Sequence, residues 1–124
     1  MKITKAVYLS FVNSNIARAQ ISIPFTVSSI HVKGISYDPQ TIPASPRYGV
    51  ISSDIVDMQA LGIFYNDSTY SFNSTKDIHL TLYTPKTINS TYNFFLTNDA
   101  GEPYITNGTD RMILILEFND ASEK

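Results

Sequence analysis

The stretch Ala19-Gln20-Ile21-Ser22-Ile23-Pro24-Phe25-Thr26-Val27 decides the fold class. Its large apolar side chains stand on odd positions and its polar ones on even positions. A period of two places one face of an extended strand in a core and the other in water. Pro24 sits inside the run and has no N–H to give to a ladder, so it is predicted at an edge or a bulge. Past Val27 the apolar set moves to even positions at Ile30 and Val32, across Ser28-Ser29, then moves back around Gly34 to Ile35 and Tyr37. Each change of phase needs an extra residue, the mark of a bulge or of a strand crossing from one sheet to another.

The same alternation extends outward in both directions. Upstream, Ile3, Val7, Leu9 and Phe11 share a face over residues 3–12, and Asn13-Ser14-Asn15 breaks the run. Downstream, residues 38–46 carry Pro39, Pro43 and Pro46 and read as an extended, ordered loop. Residues 50–56 and 58–65 are two further strands, the second apolar on both faces at Leu61-Gly62-Ile63-Phe64. Ser53 or Asp54 could cap a short helix within residues 54–61. Asn66-Asp67-Ser68 is a turn and residues 69–72 a short strand. Ile78, Leu80 and Leu82 alternate, as do Tyr92, Phe94 and Leu96. Residues 98–103 form a turn cluster, and Asn107-Gly108 suits a type I′ turn. Met112-Ile113-Leu114-Ile115-Leu116 is apolar throughout, so this last strand is expected to be buried on both faces and paired on both sides. The pattern predicts an all-β chain: a single antiparallel β-sandwich domain over residues 1–124 with about eight strands. A jelly roll is favoured over an immunoglobulin-like sandwich, because the connections are long and the last strand lies deep in the sheet.

The chain has 124 residues, of which 16% are charged and 43% hydrophobic. An average domain carries roughly 25% charged residues. Eight Tyr and seven Phe supply a core, and the surface is left to Ser, Thr, Asn and Tyr, which suits wide contact with neighbours or glycans. A net charge of -2 with no basic stripe argues against binding nucleic acid. The absence of Cys excludes disulfides, thiolate nucleophiles and Cys-ligated metals. No apolar run reaches the length of a membrane span. Lys2 and Lys5 ahead of the apolar residues 6–12, with Ala17-Arg18-Ala19 beyond, have the outline of a secretory signal. That run includes Tyr8 and Ser10, so a first strand is expected there instead.

Candidate chemistry is sparse. His31 and His79 are the only histidines and lack metal-ligand spacing. Each is expected as a polar residue facing solvent or a neighbouring strand. The acid pairs Asp54/Asp57 and Asp99/Glu102 are read as turn formers, since a glycosidase needs two carboxyls across a cleft. Oxygens cluster at Asn66-Asp67 and Asn98-Asp99 without an EF-hand spacing. No catalytic, cofactor-binding or metal-ligating set is assigned. Four N-x-[ST] sequons, at Asn66, Asn73, Asn89 and Asn107, all fall at turns where a glycan could attach. The composition of turns alone also produces such sequons. Tyr65, Tyr70, Tyr83 and Tyr92 could stack on sugars, though strands favour Tyr in any case. Pro24 and the proline-held residues 38–46 (Pro39, Pro43, Pro46) are candidate interface elements, because a stiff loop loses little entropy on docking.

Three features together resemble the small single jelly-roll minor capsid and penton-type proteins of icosahedral double-stranded DNA viruses. They are the opening strand Met1-Lys2-Ile3-Thr4-Lys5-Ala6-Val7-Tyr8-Leu9, the Asn/Ser/Thr-rich turns, and the last strand Met112-Ile113-Leu114-Ile115-Leu116-Glu117-Phe118 close to the end. The resemblance rests on pattern and composition and carries over no functional residue. It implies a non-catalytic capsid component (minor capsid, penton or cement protein), located in the virion. Such a protein works as an oligomer through contacts with itself or other capsid proteins, without cofactor. The alternative is an extracellular or cell-surface β-sandwich that binds carbohydrate or a receptor, such as a fibre tip or adhesin domain.

Overall fold

The computed structural model describes residues 1–40, 47–66, 72–74 and 78–120. The described residues form seven strands: β1 (Lys2–Val12), β2 (Ile16–Asp38), β3 (Arg47–Ser53), β4 (Ala60–Asn66), β5 (Phe72–Ser74), β6 (Ile78–Asn98) and β7 (Thr109–Asp120). All pairings are antiparallel. The order is β1-β7-β2-β6-β3-β4, with β5 beside the end of β2. All-β and antiparallel, as the alternation predicts, the sheet uses fewer and longer strands than the sequence suggests. Residues 19–37 form one strand, and residues 78–82 and 92–96 belong to a second.

β2 and β6 are the spine. The first part of β2 pairs with β6 alone, from Ile16↔Phe95 to Ser22↔Asn89, whereas its second part also pairs with β7. Pairing with β6 is interrupted between Ser22 and Thr26, where exposed Pro24 needs no partner, and again between Val27 and Ser29. Pairing with β7 shifts at Val27/Ser29 and at Val32/Gly34. These shifts coincide with the two phase changes in the sequence. They keep Val27, Ile30, Val32, Ile35 and Tyr37 all turned inward.

The curled sheet thus has two arms, β1-β7-β2 and β6-β3-β4, whose inner faces meet. Tyr37 of β2 lies 4.7 Å from the ring of Phe64 on β4, and a Cβ on Gly62 would overlap Ile35 Cδ1. Phe11, Ile30, Ile51, Leu61, Phe64, Phe94, Leu96, Leu114 and Phe118 fill the space between, all fully buried. At about 25 cal/mol per Å2 of apolar area removed from water, such a core is the main term holding the arms together.

β7 is paired on both sides, with β1 and β2, as predicted. Only one of its faces is fully buried, however: Met112, Leu114 and Leu116 point inward, and Ile113 and Ile115 are half-buried on the outer side. The strand expected over residues 50–56 ends at Ser53, and residues 54–56 make a single 3-10 turn. Ser53 caps it by accepting from the Ile55 N–H at 3.1 Å. Asn107 does not take the positive φ that a type I′ turn requires; Gly108 alone does, at +105°. The Gly108 N–H donates to Asn13 Oδ1 at 2.8 Å and so ties together the turns before β2 and β7.

Candidate functional site

The outer face of the β6-β3-β4 arm carries an unusual run of apolar side chains. Their order follows from register. Tyr48 lies opposite Tyr65, and Val50 stands between Ile63 and Thr97. Phe95 stands between Ser52 and Ile16. Because outward-facing residues recur every second position, these rows adjoin and make one surface across four strands. Tyr48 is 59% exposed, Ile63 58% and Ile16 40%; Val50, Tyr65, Phe95 and Thr97 are half-buried. The Tyr48 and Tyr65 rings lie 4.7 Å apart at 47°. None of these side chains is charged, and Arg18 of β2 stands at the margin with its Nε donating to Asn93 Oδ1 at 3.0 Å. β4 borders this surface and pairs with β3 alone among the described strands.

Sequence reasoning singled out Tyr65 here but not Tyr48, Ile63 or Phe95. The available signal was apolar character on both faces of residues 61–64. Of the four tyrosines offered as a sugar platform, Tyr65 joins Tyr48. Tyr83 is 79% exposed elsewhere on β6, Tyr92 is half-buried with its hydroxyl accepting from the Asn89 N–H at 3.1 Å, and Tyr70 lies outside the described residues.

A second cluster gathers where loops converge, and it is internal. The Tyr37 hydroxyl donates to buried Asp110 Oδ2, and the Gln40 N–H donates to Asp110 Oδ1 at 2.8 Å. Asn66 Nδ2 donates to the Tyr104 hydroxyl at 2.7 Å and to that of Tyr37 at 3.5 Å. Thr106 donates to the Phe11 carbonyl at 2.8 Å. Burial, and then the hydrogen bond and negative charge of Asp110, push the Tyr37 phenol far above its ordinary range, so it stays protonated. Such a network is stabilising only when its members are satisfied, and here it fastens the loop before β7 to the ends of β2 and β4.

The remaining candidates fall as follows. Asn66 is fully buried within that network, a position that leaves a glycan no room in the folded chain. Asn89 and Asn107 are exposed; the Asn73 side chain lies outside the described residues, as do Pro43 and Pro46. Pro39 is half-buried next to Gln40. Asp54 and Asp57 are spent on β6: Asp54 accepts from the Asn93 N–H and side-chain amide, both at 3.0 Å. Asp57 accepts from the Tyr83 N–H at 3.0 Å and pairs with Lys86 at 3.4 Å. Asn98 Oδ1 accepts from the Ala100 and Glu102 N–H groups, both at 2.9 Å, so the Asp99/Glu102 pair does belong to a turn. Among the described residues, no three His, Asp or Glu are placed to share a metal ion, and no helix is long and apolar enough to cross a membrane. His31 and His79 lie together on the outer face of the other arm.

No family model and no curated protein matches the chain. Among solved structures it is similar to the capsid of Helicobacter pylori bacteriophage KHP30, at 15% identity and a TM-score of 0.47 over 98% of this chain and 94% of that one. It is also similar to the CBM36-1 domain of a xylanase from the hindgut metagenome of Trinervitermes trinervoides (13% identity, TM-score 0.43, 98% of this chain and 100% of that one). A third similarity is to the Bacillus endospore appendages, at 11% identity and a TM-score of 0.42, covering 98% of this chain and 90% of that one. At these values the likeness transfers no activity, and function has to come from the residues.

Proposed function

We propose that this protein is a non-catalytic structural module that works through protein–protein interfaces, as a jelly-roll-type capsid component in a virion. The observation that carries the reading is the uncharged outer face of the β6-β3-β4 arm, where Ile16, Tyr48, Val50, Ile63, Tyr65, Phe95 and Thr97 adjoin. Depletion of charge with enrichment of aromatics marks the centre of an interface. The position of β4 at the end of the strand order, paired with β3 alone among the described strands, strengthens it. Strand edges are normally guarded by Lys, Pro or a bulge. Residues 60–66 contain no charged residue and no Pro, whereas the opposite edge strand, β1, carries Lys2 and Lys5.

The test is the size of the native particle by light scattering or mass photometry. Wild-type protein is expected as an oligomer, with interfaces of at least about 1,200 Å2 each. The double variant Tyr48→Ser/Ile63→Ser is expected as a folded, smaller species. A monomeric wild-type protein, or an oligomer indifferent to both substitutions, would count against the reading.

One observation favours a second reading, an extracellular carbohydrate-binding sandwich: the exposed Tyr48/Tyr65 pair is a ready stacking surface for a sugar ring. In that case a glycan array shows saturable binding that Tyr48→Ala removes.

A further inference from the structure

β1 and β2 are successive strands joined only by residues 13–15, a connection that ordinarily zips its strands into a hairpin. Here they do not pair. Among the described strands β1 bonds to β7 alone, and residues 16–22 of β2 bond to β6 alone. The loop before β7 holds the two strands apart at their turn. The Asn13 N–H donates to the Gly108 carbonyl at 2.8 Å, and the Thr106 N–H donates to the Ser14 carbonyl at 3.3 Å. The Thr106 hydroxyl donates to the Phe11 carbonyl at 2.8 Å. Farther from the turn, residues 5–8 of β1 and 19–22 of β2 border a cleft of about 330 Å3. Buried, apolar Val7 and Ile21 line it, beside exposed Ala6, Tyr8, Gln20 and Ser22.

The two walls are strand edges with unspent backbone groups. In an antiparallel ladder alternate residues turn both N–H and C=O toward the same neighbour. The Asp120 N–H donates to the Met1 carbonyl, and with the Asn13–Gly108 bond this fixes the odd residues of β1 as those bonded to β7. The Leu96 N–H donates to the Asn15 carbonyl, which fixes the odd residues of this part of β2 as those bonded to β6. Ala6 and Tyr8 on one wall, and Gln20 and Ser22 on the other, therefore turn their N–H and C=O groups away from those ladders.

We propose that this cleft receives one extended peptide strand of a partner protein, a strand that carries carboxylate side chains. Laid along the cleft, it finds donors and acceptors on the edges beside it, and main-chain bonds of this kind give strand addition its affinity. Four residues of a wall span about 13 Å, the length of about four residues of an incoming strand. Charge selects the partner. Lys5 is the charged residue of the lining, and residues 2–12 and 16–22 together carry Lys2, Lys5 and Arg18 with no Asp or Glu. A second copy of β1 would set lysines against lysines, whereas an acidic strand meets opposite charge. The lysines that guard this edge against its own copies thus favour an acidic partner.

The experiment adds a dye-labelled heptapeptide of alternating Val and Glu, or its counterpart of alternating Val and Lys, to the native protein and follows fluorescence anisotropy. The Val/Glu peptide is expected to bind at least about tenfold more tightly than the Val/Lys peptide. At saturation, amide hydrogen exchange of residues 6–8 and 20–22 is expected to slow by about tenfold or more. Ala6→Pro removes an N–H that points away from β7, a place where an edge strand tolerates Pro, and is expected to weaken binding by about tenfold. Lys5→Glu is expected to reverse the preference between the two peptides. The proposal is overturned by a Val/Glu peptide that does not bind saturably, by equal binding of both peptides, or by protection confined to other segments. Slow exchange of residues 6–8 and 20–22 before any peptide is added overturns it too, since a second copy would then fill the cleft. If Ala6→Pro fails to fold, Lys5→Glu decides the matter, because Lys5 is exposed.

Discussion

Replacing Tyr37 by Phe removes one oxygen atom and tests whether the loop-end network is as important as its geometry implies. The side chain is fully buried, so no water enters to replace the lost hydroxyl. That hydroxyl donates to Asp110 Oδ2 and accepts weakly from Asn66 Nδ2 at 3.5 Å. Ring packing against Phe64 at 4.7 Å survives the change. A neutral hydrogen bond is worth about 1 kcal/mol net, but withdrawing a donor from a buried carboxylate costs more, so the expected loss is about 2–4 kcal/mol. For a chain of this length that lowers Tm by roughly 10 °C. A second signature appears in alkali. The Tyr37 phenol is held above its unfolded value, so its contribution is complete below about pH 10 and is lost as pH rises beyond it, at up to about 1.4 kcal/mol per pH unit. Tyr37→Phe should remove that share of the alkaline slope while lowering stability at neutral pH. Urea denaturation at neutral and alkaline pH reads both effects. A loss below about 0.5 kcal/mol at neutral pH, the ordinary scatter of surface changes, would refute the reasoning. So would an alkaline slope identical to that of wild type.

Asp54→Ala should cost about 1–3 kcal/mol by calorimetry, because it removes both bonds to Asn93 and leaves the Asn93 N–H without that acceptor. Ser53→Ala, which removes only the cap on the following turn and a bond to the Asn93 carbonyl, should cost about 1 kcal/mol. Gly49→Ala should be worse than Gly62→Ala in chemical denaturation. A Cβ at Gly49 meets three atoms of the rigid Phe64 ring, whereas one at Gly62 meets chiefly the movable Cδ1 of Ile35; overpacking of this kind costs about 1–3 kcal/mol. Equal costs would show that the arms can separate to admit a methyl group anywhere.

Strand character, the two phase changes in β2 and the position of β7 between two partners were all legible, because each depends on side-chain period alone. The break assumed between residues 82 and 92 was not real. Thr84-Pro85 interrupts the alternation, but β6 continues through a bulge opposite Ser28, and a bulge keeps the chain extended while spoiling its period. Asn66 shows a different limit. In sequence it is a sequon at a turn, and only tertiary placement sets it beside Tyr104 and Tyr37. The stacked histidines depend on register: His31 and His79 are partners only because the pairing shifts between Val27 and Ser29. The apolar face was half visible. Residues 61–64 show apolar character on both sides, which fits a doubly covered strand as well as one waiting for a partner.

The two outer faces differ in charge, and that difference bears on how the module would sit in an assembly. The β1-β7-β2 face carries Lys2, Lys33, Glu117, Arg111 and the histidine pair, charges of both signs, beside exposed Tyr8 and Val12 and half-buried Ile113 and Ile115. The β6-β3-β4 face carries tyrosines, isoleucines and a phenylalanine with no charge among them. Tyr8, Val12, Met58, Tyr83 and Ile105 are exposed singly, as is ordinary for a small protein, whereas Tyr48, Ile63 and Ile16 belong to adjoining rows. A subunit would gain from that adjacency, because burying these rows against a neighbour would leave the charged face turned outward. The proposed assembly contact and the charged face therefore lie on opposite sides of the same spine.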